Sequence, residues 1–122
     1  MTRGGYGKDE IYTQMAFASL PEWKKLSDSS GLPIFIRSGV LFFSSKPGEY
    51  FDGSIEVHRK LGLPLEQLDG PQLQRRFPMI GFSGIVIGLY EPGFGALMAR
   101  RAVQTLVKNF VSTGGQFRHE AA

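Results

Sequence analysis

Glu91-Pro92-Gly93-Phe94-Gly95-Ala96-Leu97-Met98-Ala99-Arg100-Arg101-Ala102 follows the apolar run Ile85-Val86-Ile87-Gly88-Leu89-Tyr90 and leads into a helical pattern reaching Ser112. A strand, a glycine-rich turn and a helix is how a dinucleotide-binding unit begins. The spacing does not complete it. The fingerprint G-x-G-x-x-G needs a third glycine for close helix–strand packing, and Met98 stands in that place. Pro92 is equally foreign to that turn.

Downstream, Ala99, Val103, Leu106, Val107 and Phe110 lie along one helical face, and Thr113-Gly114-Gly115 ends the helix. Gln116 to Glu120 then reads as the start of a strand. Upstream, the spacing predicts a first helix from Lys8 or Asp9 to about Leu26. Tyr12, Met15, Ala16, Ser19, Leu20, Trp23 and Leu26 form its apolar face, and Pro21 implies a bend near Ala18 or two shorter helices. Leu32 to Ile36 and Val40 to Phe43, joined by Arg37-Ser38-Gly39, read as a hairpin covered on both faces. A second helix follows Lys46-Pro47-Gly48 and reaches Leu61, with Phe51, Ile55, His58 and Leu61 inward and Gly62 as its left-handed stop. Residues 63–68 form an extended connector. Asp69 is an N-cap, with Pro71 in the first turn and Gln72 completing a capping box, and that short helix ends at Arg76 before Phe77-Pro78. Residues 84–90 form a central strand. The pattern as a whole is α+β (mixed α/β).

The chain of 122 residues allows one domain at most. With 42% apolar residues it is too hydrophobic for disorder. The net charge of +3 comes with basic pairs scattered among acids, so no nucleic-acid partner is expected. The absence of cysteine excludes disulfides and thiolate metal sites. No apolar run approaches a membrane span, and Met1-Thr2-Arg3-Gly4-Gly5 carries no signal-peptide core, so a cytoplasmic protein without a membrane partner is expected. His58 and His119 are too far apart to make a metal site, and His58 reads as a partly buried packing histidine. Asp9-Glu10 suit the positive end of the first helix. No serine sits in a G-x-S-x-G elbow.

Arg3-x-x-Tyr6-Gly7, Tyr12, Trp23, Ser38-Gly39-Val40-Leu41, Arg76-Phe77-Pro78 and Glu91-Pro92-x-x-Gly95-Ala96-Leu97 occur in an order and spacing that resemble one family. The chain is similar to the FAD-dependent amine oxidoreductases related to monomeric sarcosine oxidase, in the D-amino acid oxidase superfamily. The likeness spans about Arg3 to Glu120. It implies an interior fragment. Residues 1–27 would belong to the FAD-binding domain near the flavin, 28–92 to the substrate-binding domain with its antiparallel or mixed sheet, and 93–122 would return to the FAD-binding domain. The N-terminal βαβ unit and the C-terminal elements, including the cysteine that attaches flavin in some members, would lie in missing segments of the same enzyme. The resemblance implies FAD as cofactor in the complete parent. It also implies oxidation of a secondary amine such as an N-methyl amino acid, hydride equivalents passing to the flavin. In an oxidase the electrons then go to O₂, which leaves as hydrogen peroxide.

Arg3 resembles the arginine that binds the substrate carboxylate in that family. A guanidinium fork matches a carboxylate bidentately. Tyr6 and Tyr12 match aromatic positions of the same segment, as further substrate-binding residues. The Tyr12 hydroxyl either faces the pocket or the ring packs on the helix face. Gly4-Gly5 either lets the backbone approach the cofactor or is a flexible terminus. Glu91 to Leu97 has a structural role. The alternatives to an enzyme fragment, inactive by itself, are a small non-catalytic binding module, an inactive gene fragment and a basic nucleic-acid-associated protein.

Overall fold

Asp9 and Glu10 lead into α1 (Glu10–Ser30), which the computed structural model, describing residues 1–118 and 120, draws as one unbroken helix of 21 residues. The two shorter helices are not found. Pro21 is exposed, so water can reach the carbonyl that its missing N–H leaves unpaired. Gly31 ends the helix in the left-handed conformation, at φ 65°. The one buried residue of α1 is Thr13, whereas Tyr12 and Met15 are 54% and 61% exposed, so the expected apolar face is turned outward at its start.

The expected hairpin is corrected. β1 (Phe35–Ile36) and β2 (Val40–Ser44) do not pair with each other. The Gly39 N–H donates to the Phe94 carbonyl at 2.9 Å instead of closing a turn across Arg37-Ser38, and this sends the chain into a different sheet. Ser27 anchors β1 from α1, its Oγ accepting from the N–H groups of Ile34 (3.0 Å) and Phe35 (2.7 Å). Ile36 and Phe43 are exposed, so neither run is covered on both faces.

α2 (Glu49–Lys60) buries Gly53, Ser54, Val57 and His58, and Gly62 follows it at φ 64°, as expected. The connector contains a short strand, β3 (Glu66–Leu68). α3 (Gly70–Arg76) has the complete capping box: the Asp69 carboxylate accepts from Gln72 N–H at 2.7 Å and the Gln72 side chain accepts from Asp69 N–H at 2.8 Å. β4 (Ile87–Glu91) is central, flanked by β2 and β3 in an antiparallel three-stranded sheet. β5 (Ala96–Leu97) pairs antiparallel with β1, in the register Ile36 to Ala96. α4 (Ala99–Ser112) completes the described elements. Residues 116–118 are not in a strand, and the rest of the expected terminal strand, with His119, lies partly outside the described residues.

The core is small. Leu73 of α3 seats on β4 at Gly88, where an added Cβ would lie 2.6 Å from the leucine. Ile34, Leu89 and Phe94 are also buried. On α4 only Ala102 is buried, while Val103, Leu106 and Phe110, at helical spacing along one face, remain exposed. The molecule therefore combines four described helices with two small antiparallel sheets, an α+β fold.

Candidate active site

The segment 2–7 is pinned by side chains and backbone from four other places in the chain. Thr2 N–H donates to the Gly95 carbonyl at 2.9 Å. Gly4 N–H donates to Glu91 Oε2 at 3.0 Å, and the Gly4 carbonyl accepts from Thr13 Oγ1 at 2.8 Å. The Tyr50 hydroxyl donates to the Gly5 carbonyl, and Gly7 N–H donates to Ser54 Oγ at 2.9 Å. Gly4 and Gly5 are buried, so the reading of a flexible terminus is overturned. A Cβ on Gly4 would sit 2.6 Å from the Phe94 ring, and one on Gly5 would meet Glu91 Oε1 at 3.4 Å. These glycines let the backbone approach Glu91 and Phe94 closely.

His58 is not a partly buried packing residue. It and Glu91 are each 1% exposed, with Nε2 and Oε1 3.1 Å apart. Nδ1 lies 2.8 Å from the Ser54 carbonyl and must donate to it, because a carbonyl only accepts. A neutral ring of that tautomer would aim its Nε2 lone pair at the Glu91 carboxylate. An imidazolium donates to both partners. Burial disfavours the charged ring, but the hydrogen bond to Glu91, the Ser54 carbonyl and the charge of Glu91 outweigh it, and the His58 pKa stands above its ordinary value. The sequence signal available for His58 was only its place on an inward helix face. Nothing marked Glu91, 33 residues on, as its partner.

Arg3 is half-buried, its guanidinium 5.0 Å from the centre of the Tyr6 ring and 5.9 Å from that of Phe42. It enters none of the ion pairs found among the described residues. Tyr6 and Tyr12 are in contact, ring centres 5.8 Å apart. Tyr50 completes the surroundings. Its burial raises the phenol pKa, the charge of Arg3 works against this, and Glu91 and Tyr6 add to it. The predicted residues Arg3, Tyr6 and Tyr12 thus come together, with Phe42 and Tyr50 as neighbours the motif reading missed. A groove of about 470 Å³ runs between α1 and α4 past Trp23, Leu26 and Leu106. No group of three metal-ligating side chains exists among the described residues.

The family model for FAD dependent oxidoreductases (DAO) matches residues 1–122. The chain belongs to this FAD dependent oxidoreductase family. Among its relatives, N-methyl-L-tryptophan oxidase of Citrobacter koseri is 30% identical over 108 residues, covering 88% of this chain and 29% of that protein. The Salmonella typhimurium enzyme of the same name is 29% identical over the same share. The chain therefore spans about 29% of the length of these relatives. The crystal structure of L-proline dehydrogenase from P. horikoshii superposes on 93% of the chain and 30% of its own, with a TM-score of 0.81 at 22% identity, a likeness of fold.

The family is FAD dependent, and the glycine turn can be tested for its part in that. Gly95 N–H is bonded to Thr2 Oγ1 at 3.3 Å, and Phe94 N–H to the Glu91 carbonyl at 3.4 Å. A Cβ on Gly95 would lie 2.1 Å from the Ile36 carbonyl oxygen. This turn spends its amides on protein and its glycine on strand packing. It does not fit a pyrophosphate, in keeping with Met98 at the third glycine position.

Proposed function

We propose that the chain forms the substrate-facing part of an FAD-dependent amine oxidoreductase whose substrate is a secondary amine, such as sarcosine or another N-methyl amino acid. The observation that carries this is Arg3, a half-buried guanidinium held on the Tyr6 and Phe42 rings without a carboxylate partner among the described residues. Such a cation takes the carboxylate of an amino acid bidentately, and the rings exclude water from it. Tyr6 and Tyr12 flank the substrate. Gly4 and Gly5 carry the backbone past the flavin side of the site, with the Gly4 amide and both carbonyls bonded to protein.

The FAD of the whole enzyme supplies the electron acceptor, and this chain's residues bind and orient the amine. In this reading, residues 1–27 and 93–122 belong to the FAD-binding side and 28–92 to the substrate side. The exposed apolar faces of α1 and α4 support it, since both suit burial by further elements. The proposal includes a cytoplasmic location, and a segment that is inactive without the rest of the enzyme. The relatives named N-methyl-L-tryptophan oxidase favour N-methyl amino acids. Anaerobic mixing of the full-length holoenzyme with a panel of N-methyl amino acids tests the proposal. Bleaching of the oxidised flavin absorbance by at least one of them is expected. A flavin that stays oxidised against the whole panel, yet is reduced by a substrate without a secondary amine, overturns it.

A further inference from the structure

Five residues form a chain of hydrogen bonds that leaves the segment 4–7 and returns to it. Gly4 N–H reaches Glu91 Oε2 (3.0 Å), Glu91 Oε1 faces His58 Nε2 (3.1 Å), His58 Nδ1 donates to the Ser54 carbonyl (2.8 Å), and Ser54 Oγ accepts from Gly7 N–H (2.9 Å). The loop so closed contains Tyr6, on whose ring Arg3 stacks, and begins at the residue after Arg3. Glu91 and His58 are each 1% exposed, and His58 Nε2 and Glu91 Oε1, which have no other hydrogen-bond partner, face each other at 3.1 Å. A buried pair of this kind contributes little net stability compared with apolar residues of the same volume, so its stability value does not account for it. Its geometry does something an apolar pair cannot. It fixes two backbone amides three residues apart, and with them the floor and the root of the Arg3 side chain.

The geometry points to Glu91 and His58 as positioning residues that set where Arg3 presents its guanidinium, and so determine the preference for a carboxylate-bearing amine. This rests on the reading of Arg3 as the carboxylate site. Thr13 is a weaker member of the same device, holding the Gly4 carbonyl from α1. Neither Glu91 nor His58 needs to contact substrate.

The test uses the full-length holoenzyme and two substrates, an N-methyl amino acid and the matching amine without its carboxylate. The double variant His58→Leu/Glu91→Leu removes the device and leaves no unpaired charge. KM for the carboxylate substrate should rise about tenfold, as a charge-assisted hydrogen bond to the segment is lost, with kcat, flavin content and KM for the plain amine unchanged. Glu91→Gln keeps an acceptor for Gly4 and can donate to His58, so it should restore the carboxylate preference. Thr13→Val should shift the same ratio in the same direction by about threefold. If the double variant does not fold, Thr13→Val and Glu91→Gln decide the question. An unmoved substrate ratio in the double variant, or in Thr13→Val, overturns the inference, as does a Glu91→Gln enzyme as impaired as the double variant. Arg3→Lys run in parallel separates the causes. A changed ratio there with no change from the double variant defeats the positioning role alone. No change in either defeats the carboxylate site on which it rests.

Discussion

The backbone N–H of Gly4 donates to the side chain of Glu91 at 3.0 Å across 87 residues of sequence, and this bond ties the segment bearing Arg3 to the end of the central strand. Both ends of the bond are buried, so it is not exchanged for water in the native state. His58 of α2 faces the other oxygen of the same carboxylate at 3.1 Å.

Removing one member of that pair should therefore cost far more than removing both. Glu91→Ala leaves an imidazolium without a counter-charge and Gly4 without an acceptor, and should destabilise the enzyme by about 3–5 kcal/mol. His58→Leu/Glu91→Leu should cost clearly less. Thermal melting of the two variants gives the comparison, and a double variant that melts lower than Glu91→Ala would refute the account of the pair.

The same pair predicts a pH dependence. The His58 pKa is raised in the folded state, so the stabilisation from its charged form is complete below the ordinary histidine value, about 6.5. It is lost as pH climbs from there through the raised value. The groups facing the ring are Glu91 and the Ser54 carbonyl, and the charges of Glu91 and Arg3 both act on Tyr50. Melting temperature should fall across that window in the wild type and fall less in His58→Leu/Glu91→Leu. Parallel profiles would show that another group carries the dependence.

Local chemistry made a good part of this fold legible, and long-range pairing did not. The Asp69 capping box, the Gly62 stop and the central strand all follow from residues within a few positions of each other. The hairpin failed because the amide of Gly39 is taken by Phe94, far along the chain, and periodicity has no access to that. The inward face of α1 was missed for a related reason. Thr13 is buried since its hydroxyl meets the Gly4 carbonyl, a polar solution that an apolar pattern passes over. Arg3 and Tyr6 were visible through their motif, whereas His58 and Glu91 each looked ordinary until the fold brought them together.

Gly95 and Gly48 make a contrasting pair. A Cβ at Gly95 would strike the Ile36 carbonyl oxygen at 2.1 Å and Ser38 N at 2.7 Å, so the β1–β5 pairing must open. Gly95→Ala should cost about 1–3 kcal/mol, at the upper end because the obstacle is backbone. At Gly48, which precedes α2 with extended backbone, nothing lies within 4 Å of an added Cβ. Gly48→Ser should be neutral or slightly stabilising, since serine is a good N-cap. Equal melting shifts for the two would contradict the packing described here.

The central claim is that Arg3 receives the substrate carboxylate, and Arg3→Lys in the full-length holoenzyme tests it most directly. Lysine keeps the charge and loses the planar fork. The ratio of kcat/KM for an N-methyl amino acid to that for the same amine without its carboxylate should fall about tenfold or more, a change of roughly 1.4 kcal/mol, with flavin content unaltered. A ratio identical to that of the wild-type enzyme would contradict the account.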